Sequence, residues 1–382
     1  MPRRLCFDAN ASTPMLPEAA EAVARAGVEA WGNPSSAHEE GRRARATLDA
    51  ARDRVAASLG CRPREIVFTS GGTEALHLAV LGAARARAGV GRRVVVSAVE
   101  HPAVLDAADL LLAEGFEVAR VAPRPDGGVD PDAFLAAATP GTVVACLMVA
   151  NHETGAVMPV ATVAAALRAR GVVSVADAAL APGLVDVGVE ALGADLVGFS
   201  GHKFGGPRGI GALYVRRRTR LSPVQRGGVQ EDRVRGGTEN VAGAAGFAVA
   251  LEHAVRTRAE RVARLAALRR RLVEGLLAIP GTSVVGPAAG GLPSTTLVAF
   301  DGCEGEALLV NLDLEGVAVS TGSACAVGGT EASPVLLAMG FSPRRAASTL
   351  RFSVRDGVGD DDVERVRAVV TGVVARLRSM AR

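Results

Sequence analysis

Forty-three residues are lysine or arginine, yet reading along the chain finds one lysine, Lys203. Arginine serves as well as lysine on a surface, but it stays protonated and is no usable amine nucleophile. Lysine can lose its proton when desolvated and form a Schiff base with a carbonyl. Lys203 stands in Ser200-Gly201-His202-Lys203-Phe204-Gly205-Gly206-Pro207, a glycine-rich turn after the apolar run Leu196–Phe199. Reactive residues collect on loops held by a strand scaffold, so the surviving lysine is read as a chemical residue.

Other loops carry complementary groups. Thr69-Ser70-Gly71-Gly72-Thr73-Glu74 follows Ile66-Val67-Phe68 and opens a helical stretch. Glycines and hydroxyls at a helix N-terminus suit a phosphate, although the same residues make an ordinary N-cap. His101 follows a second strand-like run, and Asp177 ends a third. A phosphate cradle, an acid at a strand end and a loop lysine together suit pyridoxal 5'-phosphate, which needs a Schiff-base lysine and an acid on its pyridinium nitrogen. His101, His152 and His202 show no H-x-x-x-H spacing, and no bound metal is expected.

The elements that must position these groups alternate. Val94–Ser97, Val118–Val121, Val143–Val149, Val172–Ala176, Leu196–Phe199 and Gly211–Val215 read as strands, most of them apolar throughout. Thr73–Ala88, Val104–Glu114 and Val160–Arg170 read as helices between them. This pattern predicts an α/β domain with a mainly parallel sheet, whose ligands bind beyond the strand carboxyl ends. Beyond about residue 240 the pattern changes. Val241–Leu277 reads as one long helix or two, Ser294–Phe300, Val317–Ser320 and Leu350–Val354 as strands, and Asp361–Arg378 as a final helix. A smaller α+β domain is expected there. The arginines between Arg256 and Arg271 interleave with Glu252, Glu260 and Glu274 and read as a solvated helix face.

Composition excludes other classes. The 382 residues are 49% hydrophobic and 22% charged, too apolar for disorder. A net charge of +3 is too small to mark nucleic acid or a membrane surface as the main partner. No run of about 18 apolar residues and no signal-peptide core is present, so a cytoplasmic enzyme is expected. Five cysteines, an odd number with no C-x-x-C pair, argue against a disulfide framework. Cys6, Cys61 and Cys146 read as small buried hydrophobes.

Taken together, these residues resemble the NifS/IscS-type cysteine desulfurases, class V of the fold-type I pyridoxal-phosphate enzymes. The resemblance runs nearly end to end. It covers Asp8–Pro14, Gly32–Ser36, Phe68–Glu74, Glu100-His101, Asn151–Gly155, Asp177, Ser200–Lys203, Gly236–Thr238, Ser320–Cys325 and Arg351–Ser353. It implies a large domain, 15–252, with a seven-stranded-type sheet, and a small domain of 1–14 and 253–382 carrying the catalytic-cysteine loop. Lys203 would then hold the cofactor and move protons, and Asp177 would pair with the pyridinium nitrogen. His101 would stack on the ring. Gly72, Thr73, Ser200 and His202 would bind the phosphate, helped by Thr238 from the second subunit of a homodimer. Asn33 and Arg351 would hold the substrate carboxylate of L-cysteine. Cys325 would attack the substrate sulfur, leave with a persulfide and free alanine. Its neighbours Gly322, Ser323, Gly328 and Gly329 suit an exposed thiolate better than a core cysteine. A sulfur-acceptor or scaffold protein is the implied partner. Iron–sulfur cluster assembly, tRNA thiolation, DNA phosphorothioation and sulfur-containing natural products are all open as destinations.

The sequence departs from the family pattern at three places. Leu180 stands where a glutamine usually donates to the cofactor phenolate oxygen, and Asn-Asn-Glu becomes Asn151-His152-Glu153. His77 replaces the usual Asn or Asp. One reading is that His152 binds the cofactor in place of the missing amide. The alternative is a diverged class V enzyme (a C–S lyase, selenocysteine lyase or aminotransferase) or a weakly active cofactor-binding partner protein.

Overall fold

The computed structural model describes residues 3–322 and 332–380. Cys325 lies outside the described residues.

At the N-terminus, β1 (Leu5–Cys6) precedes helices α1 (Pro17–Glu29) and α2 (Glu39–Leu59). An alternating stretch follows: β2 (Ile66–Thr69), α3 (Gly72–Ala86), β3 (Arg93–Ser97), α4 (Pro102–Ala113) and β4 (Glu117–Val121). It continues through α5 (Pro131–Ala137), β5 (Thr142–Cys146), α6 (Val160–Ala169), β6 (Val173–Asp177), α7 (Val189–Leu192), β7 (Leu196–Ser200) and β8 (Gly211–Val215). These strands form one seven-stranded sheet in the order β2-β8-β7-β6-β5-β3-β4. The pairs among β3, β4, β5, β6 and β7 are parallel, while β8 runs antiparallel to both β2 and β7. Strands β5, β6 and β7 are buried at every residue, which is why they read as apolar runs without alternation.

The expected strand Val143–Val149 is shorter than its apolar run. The ladder ends at Cys146 because the buried Glu100 carboxylate accepts the Met148 N–H at 2.8 Å. Leu147 and Val149 still donate to Val175 and Asp177, so the chain stays beside β6 while leaving regular geometry.

The C-terminal third begins with α8 (Val241–Leu277), a single helix of 37 residues. Its first half packs into the core beneath the large sheet, through Ala244, Phe247 and Leu251. Its second half joins another core through Leu265, Leu268, Leu272 and Leu276. That core includes Leu5 and Phe7 of the N-terminus. Around it lie β9 (Thr282–Val285), β10 (Thr295–Phe300), α9 (Gly305–Leu314) and β11 (Val317–Ala318). They are followed by α10 (Pro334–Ala338), α11 (Pro343–Ala346), β12 (Thr349–Ser353) and α12 (Asp360–Met380). Strands β12, β10 and β9 form an antiparallel sheet, and β1 pairs in parallel with β11.

The arginines of α8 do not form a merely solvated face. Arg261 reaches Asp356 at 2.9 Å, Arg271 reaches Asp360 at 2.6 Å, and Arg258 reaches Asp186 at 3.3 Å. They tie the helix to acids of other segments, which no helical periodicity could announce. Of the other cysteines, Cys146 and Cys303 are buried, while Cys6 and Cys61 are half-buried. No helix among the described residues is long and apolar enough to cross a membrane.

Candidate active site

Four parallel strands end on one edge of the sheet, and the chemistry-bearing residues follow their carboxyl ends. His101 comes after β3, His152 after β5, Asp177 ends β6, and Ser200 ends β7. A doubly wound sheet places its ligands at this edge.

Asp177 is 6% exposed, and its Oδ1 accepts the Ala179 N–H at 2.9 Å. Burial pushes its carboxyl up, opposed by His101, by that N–H and by Lys203. His101 is the N-cap of α4, and Pro102 occupies the first helical position, where its missing N–H costs nothing. The His101 Nδ1 accepts the Ala103 N–H at 3.1 Å, so this nitrogen carries no proton. Burial also lowers its basicity, offset in part by Asp177. The remaining nitrogen, Nε2, is the one that can hold a proton toward the site.

Lys203 closes a short 3₁₀ turn, Gly201–Lys203, directly after β7. Its Nζ donates to the Asn10 carbonyl at 2.6 Å and the Ala11 carbonyl at 3.1 Å. Asn10 is buried and in turn donates to the His152 carbonyl and Thr295 Oγ1, each at 3.0 Å. This N-terminal segment therefore closes over the strand ends. The neighbouring His202 approaches Ser12 Oγ through Nδ1 at 3.2 Å, and burial lowers its pKa to about 4.

His152 makes a T-shaped contact with His101, with ring centroids 5.3 Å apart. Desolvation, then the charges of His101, Arg351 and Lys203, hold its pKa well below the ordinary value. It is a neutral imidazole. Its Nδ1 is buried and has no hydrogen-bond partner among the described residues, and its side chain is 13% exposed. Buried polar atoms are rarely left so, and an orphaned nitrogen beside a lysine and a carboxylate marks a place for a ligand. Leu180, 9% exposed, supplies no polar group.

Gly72 and Thr73 form the first turn of α3, whose free N–H groups attract an anion. A Cβ at Gly72 would lie 3.0 Å from the Ser200 Cβ, so a larger residue would press the helix end away from β7. Arg351, 4% exposed on β12, donates to Asp8 Oδ1 at 2.7 Å and to the His152 carbonyl at 3.0 Å. Its Nε is buried without a partner among the described residues.

Lys203, Asp177, His101, His152 and Arg351 are thus linked through a continuous set of contacts and charges. Asn33 and Thr238 are not part of it. Both are exposed, and Asn33 Oδ1 accepts the Ser35 N–H in its own turn. The segment before Thr238 is fastened to α3 by Arg235, whose Nε donates to Glu74 at 2.8 Å. Sequence reasoning assigned no role to Asn10 or Glu153, although both sit inside quoted motifs. Their partners are far away in the chain, and no local spacing signals them.

The class-V aminotransferase model matches residues 5–366. The chain belongs to the class-V aminotransferase family. It is 42% identical to a cysteine desulfurase of Gluconacetobacter diazotrophicus over 378 residues, covering 98% of this chain and 94% of that protein. It is 36% identical to the cysteine desulfurase IscS of Dictyoglomus turgidum over 382 residues, covering 100% and 97%. Among solved structures, a NifS-like protein superposes with a TM-score of 0.92 at 31% identity, covering 98% of this chain and 100% of that one.

The cofactor of this class-V chain is pyridoxal 5'-phosphate. The residues present fit it: one lysine, a buried acid at a strand end, a glycine-opened helix N-terminus and an unpartnered imidazole nitrogen.

Proposed function

We propose that this chain desulfurates L-cysteine to L-alanine, with the sulfur received as a persulfide on Cys325 and passed to an acceptor protein. The observation that carries this reading is the convergence of Lys203, Asp177 and His101 at the carboxyl edge of the sheet, in a chain whose relatives are named cysteine desulfurases.

When bound through Lys203, pyridoxal phosphate supplies an electron sink that weakens bonds at the substrate α- and β-carbons. The protein's own groups do the rest. Gly72, Thr73, Ser200 and His202 hold the phosphate; His202 acts as a neutral donor or acceptor, since its pKa of about 4 keeps it uncharged near neutrality. Asp177 would pair with the pyridine nitrogen and favour its protonated form. His101 would lie against the ring, and its Nε2 can hold a proton, because Nδ1 accepts the Ala103 N–H. His152 offers Nδ1 to a polar atom of the cofactor. Arg351 would bind the substrate carboxylate while Asp8 and the His152 carbonyl fix its guanidinium plane. Lys203 would hold the cofactor, and its Nζ could carry protons to and from the substrate carbons. The Cys325 thiolate attacks the substrate sulfur, the C–S bond breaks with its electron pair left on carbon, and protonation there completes alanine.

A homodimer accounts for Thr238: it is exposed on its own protomer and free to serve a partner's phosphate site. A division into 15–252 and 1–14 with 253–382 agrees with two cores that share α8. A cytoplasmic location and delivery into iron–sulfur cluster assembly are part of the same proposal.

Product analysis with L-cysteine tests the reading. Alanine plus sulfide supports it. Pyruvate plus ammonia would establish a C–S lyase instead, in line with Leu180 and His152, and no product would leave a cofactor-binding partner protein.

A further inference from the structure

Nothing in the proposed reaction uses Glu153, yet its carboxyl is buried where two distant segments meet. Its side chain is 2% exposed. The Ser333 hydroxyl donates to Oε2 at 2.6 Å, and the same hydroxyl accepts the Leu336 N–H as the N-cap of α10. From the other side comes Gly322. A Cβ built on Gly322 would lie 2.5 Å from the same Oε2, so the backbone there runs directly against the carboxyl. Residues 322 and 333 flank the segment that contains Cys325.

The back of Glu153 faces the site. Its Oε1 stands 3.7 Å from His152 Nε2, and Arg351, itself paired with Asp8, attracts it. Its backbone is fixed, since Asn151 Oδ1 accepts the N–H groups of Glu153 and Thr154 at 3.0 and 2.9 Å. Among the described residues, these groups and Ser333 are the charged and polar partners that face the carboxyl. A carboxyl is costly to bury, and burial pushes this one up to about 7. A leucine would pack such a spot more cheaply but could join neither Ser333 nor Arg351.

We propose that Glu153 is a positioning residue for sulfur transfer: one carboxyl oxygen holds both flanks of the Cys325 segment, Gly322 and Ser333, against the wall formed by His152 and Arg351. The inference rests on the reading of Cys325 as sulfur acceptor, but its test does not require turnover.

Holoenzyme is treated with iodoacetamide at fixed pH, and alkylation of each cysteine is followed by peptide mass spectrometry. Wild type, Glu153→Ala, Ser333→Ala and the double variant are compared. Either single change removes one shared hydrogen bond and raises the rate at Cys325 roughly fivefold or more. The double variant is no faster than the faster single, because both act through one contact. Alkylation of Cys61 and the visible absorbance of bound cofactor stay at wild-type values, which a general loosening of the fold would not allow. Ser333→Ala keeps the carboxyl in place, so the test survives if Glu153→Ala fails to fold. Wild-type rates at Cys325 in Ser333→Ala, or multiplicative effects in the double variant, overturn the proposal. A wild type that makes no alanine refutes the desulfurase reading instead, and the alkylation pattern still decides the role of Glu153.

Discussion

Replacing Glu153 by glutamine makes a pH-dependent term visible in stability. Burial raises the carboxyl from 4.5 to about 7, against the opposing pull of Ser333 and Arg351. In the unfolded chain the proton leaves near 4.5, whereas the folded chain keeps it until about 7. Between these values the native state binds more protons, so stability falls as pH rises, and the full penalty is present above the folded value. Integrated from pH 5 to pH 8, the penalty grows by about 2.5 kcal/mol. Glutamine has nearly the same shape and no proton to lose. Urea unfolding followed by far-ultraviolet circular dichroism at several pH values therefore gives a stability difference, Glu153→Gln minus wild type, that climbs in the mutant's favour by about that amount. Other titrating groups are common to both proteins and cancel. A difference that stays flat over this range would show that Glu153 is ionised at ordinary cost, and would remove the argument that its burial is a strained feature.

Three further outcomes follow from the site and its supports. Lys203→Ala leaves no lysine side chain to trap cofactor, so borohydride fixes pyridoxyl to the Lys203 peptide in wild type and to no internal peptide in the mutant; an adduct elsewhere in wild type contradicts the assignment. On the proposed role of Arg351 in binding the substrate carboxylate, Arg351→Ala raises KM for cysteine roughly ten- to a hundredfold, measured by alanine formation, and an unchanged KM refutes that role. Arg52→Met strands the Glu231 carboxylate, which now accepts 2.8 Å bonds from both Arg52 amino nitrogens, and costs about 3–5 kcal/mol in urea unfolding.

The departures at Leu180 and His152 yield a fourth. His152→Ala shifts the pH at which the visible band of bound cofactor changes, because the neutral ring no longer offers Nδ1 to it. Adding Leu180→Gln recovers part of the shift, since the amide returns a polar group to the same neighbourhood, and the two effects are non-additive. An unchanged spectrum in His152→Ala from pH 6 to 9 refutes that role.

Much of this site was legible in the sequence because its residues announce themselves locally. Lys203 is the single lysine, Asp177 terminates an apolar run, and Gly72-Thr73 opens a helix after a strand. That a mainly parallel sheet forms followed from apolar runs alternating with helices, whereas the order of its strands did not. What escaped is held by long-range contacts. The end of β5 depends on Glu100 capturing the Met148 N–H, and no propensity at Leu147–Val149 reveals it. Asn10 meets Lys203 across 193 positions, and Glu153 meets Ser333 across 180. The α8 arginines looked solvated because their acid partners, such as Asp356 and Asp360, belong to segments far along the chain.

The central claim is that cysteine sulfur leaves the substrate on Cys325 while Lys203 holds the cofactor. It is tested most directly by mixing holoenzyme with L-cysteine in the absence of reductant, quenching after one turnover, and measuring alanine alongside the mass of the Cys325 peptide. The prediction is one alanine per cofactor and a matching gain of one sulfur atom on that peptide, with neither formed by Cys325→Ser. Alanine released in full by Cys325→Ser, or sulfur found on another cysteine, would contradict it.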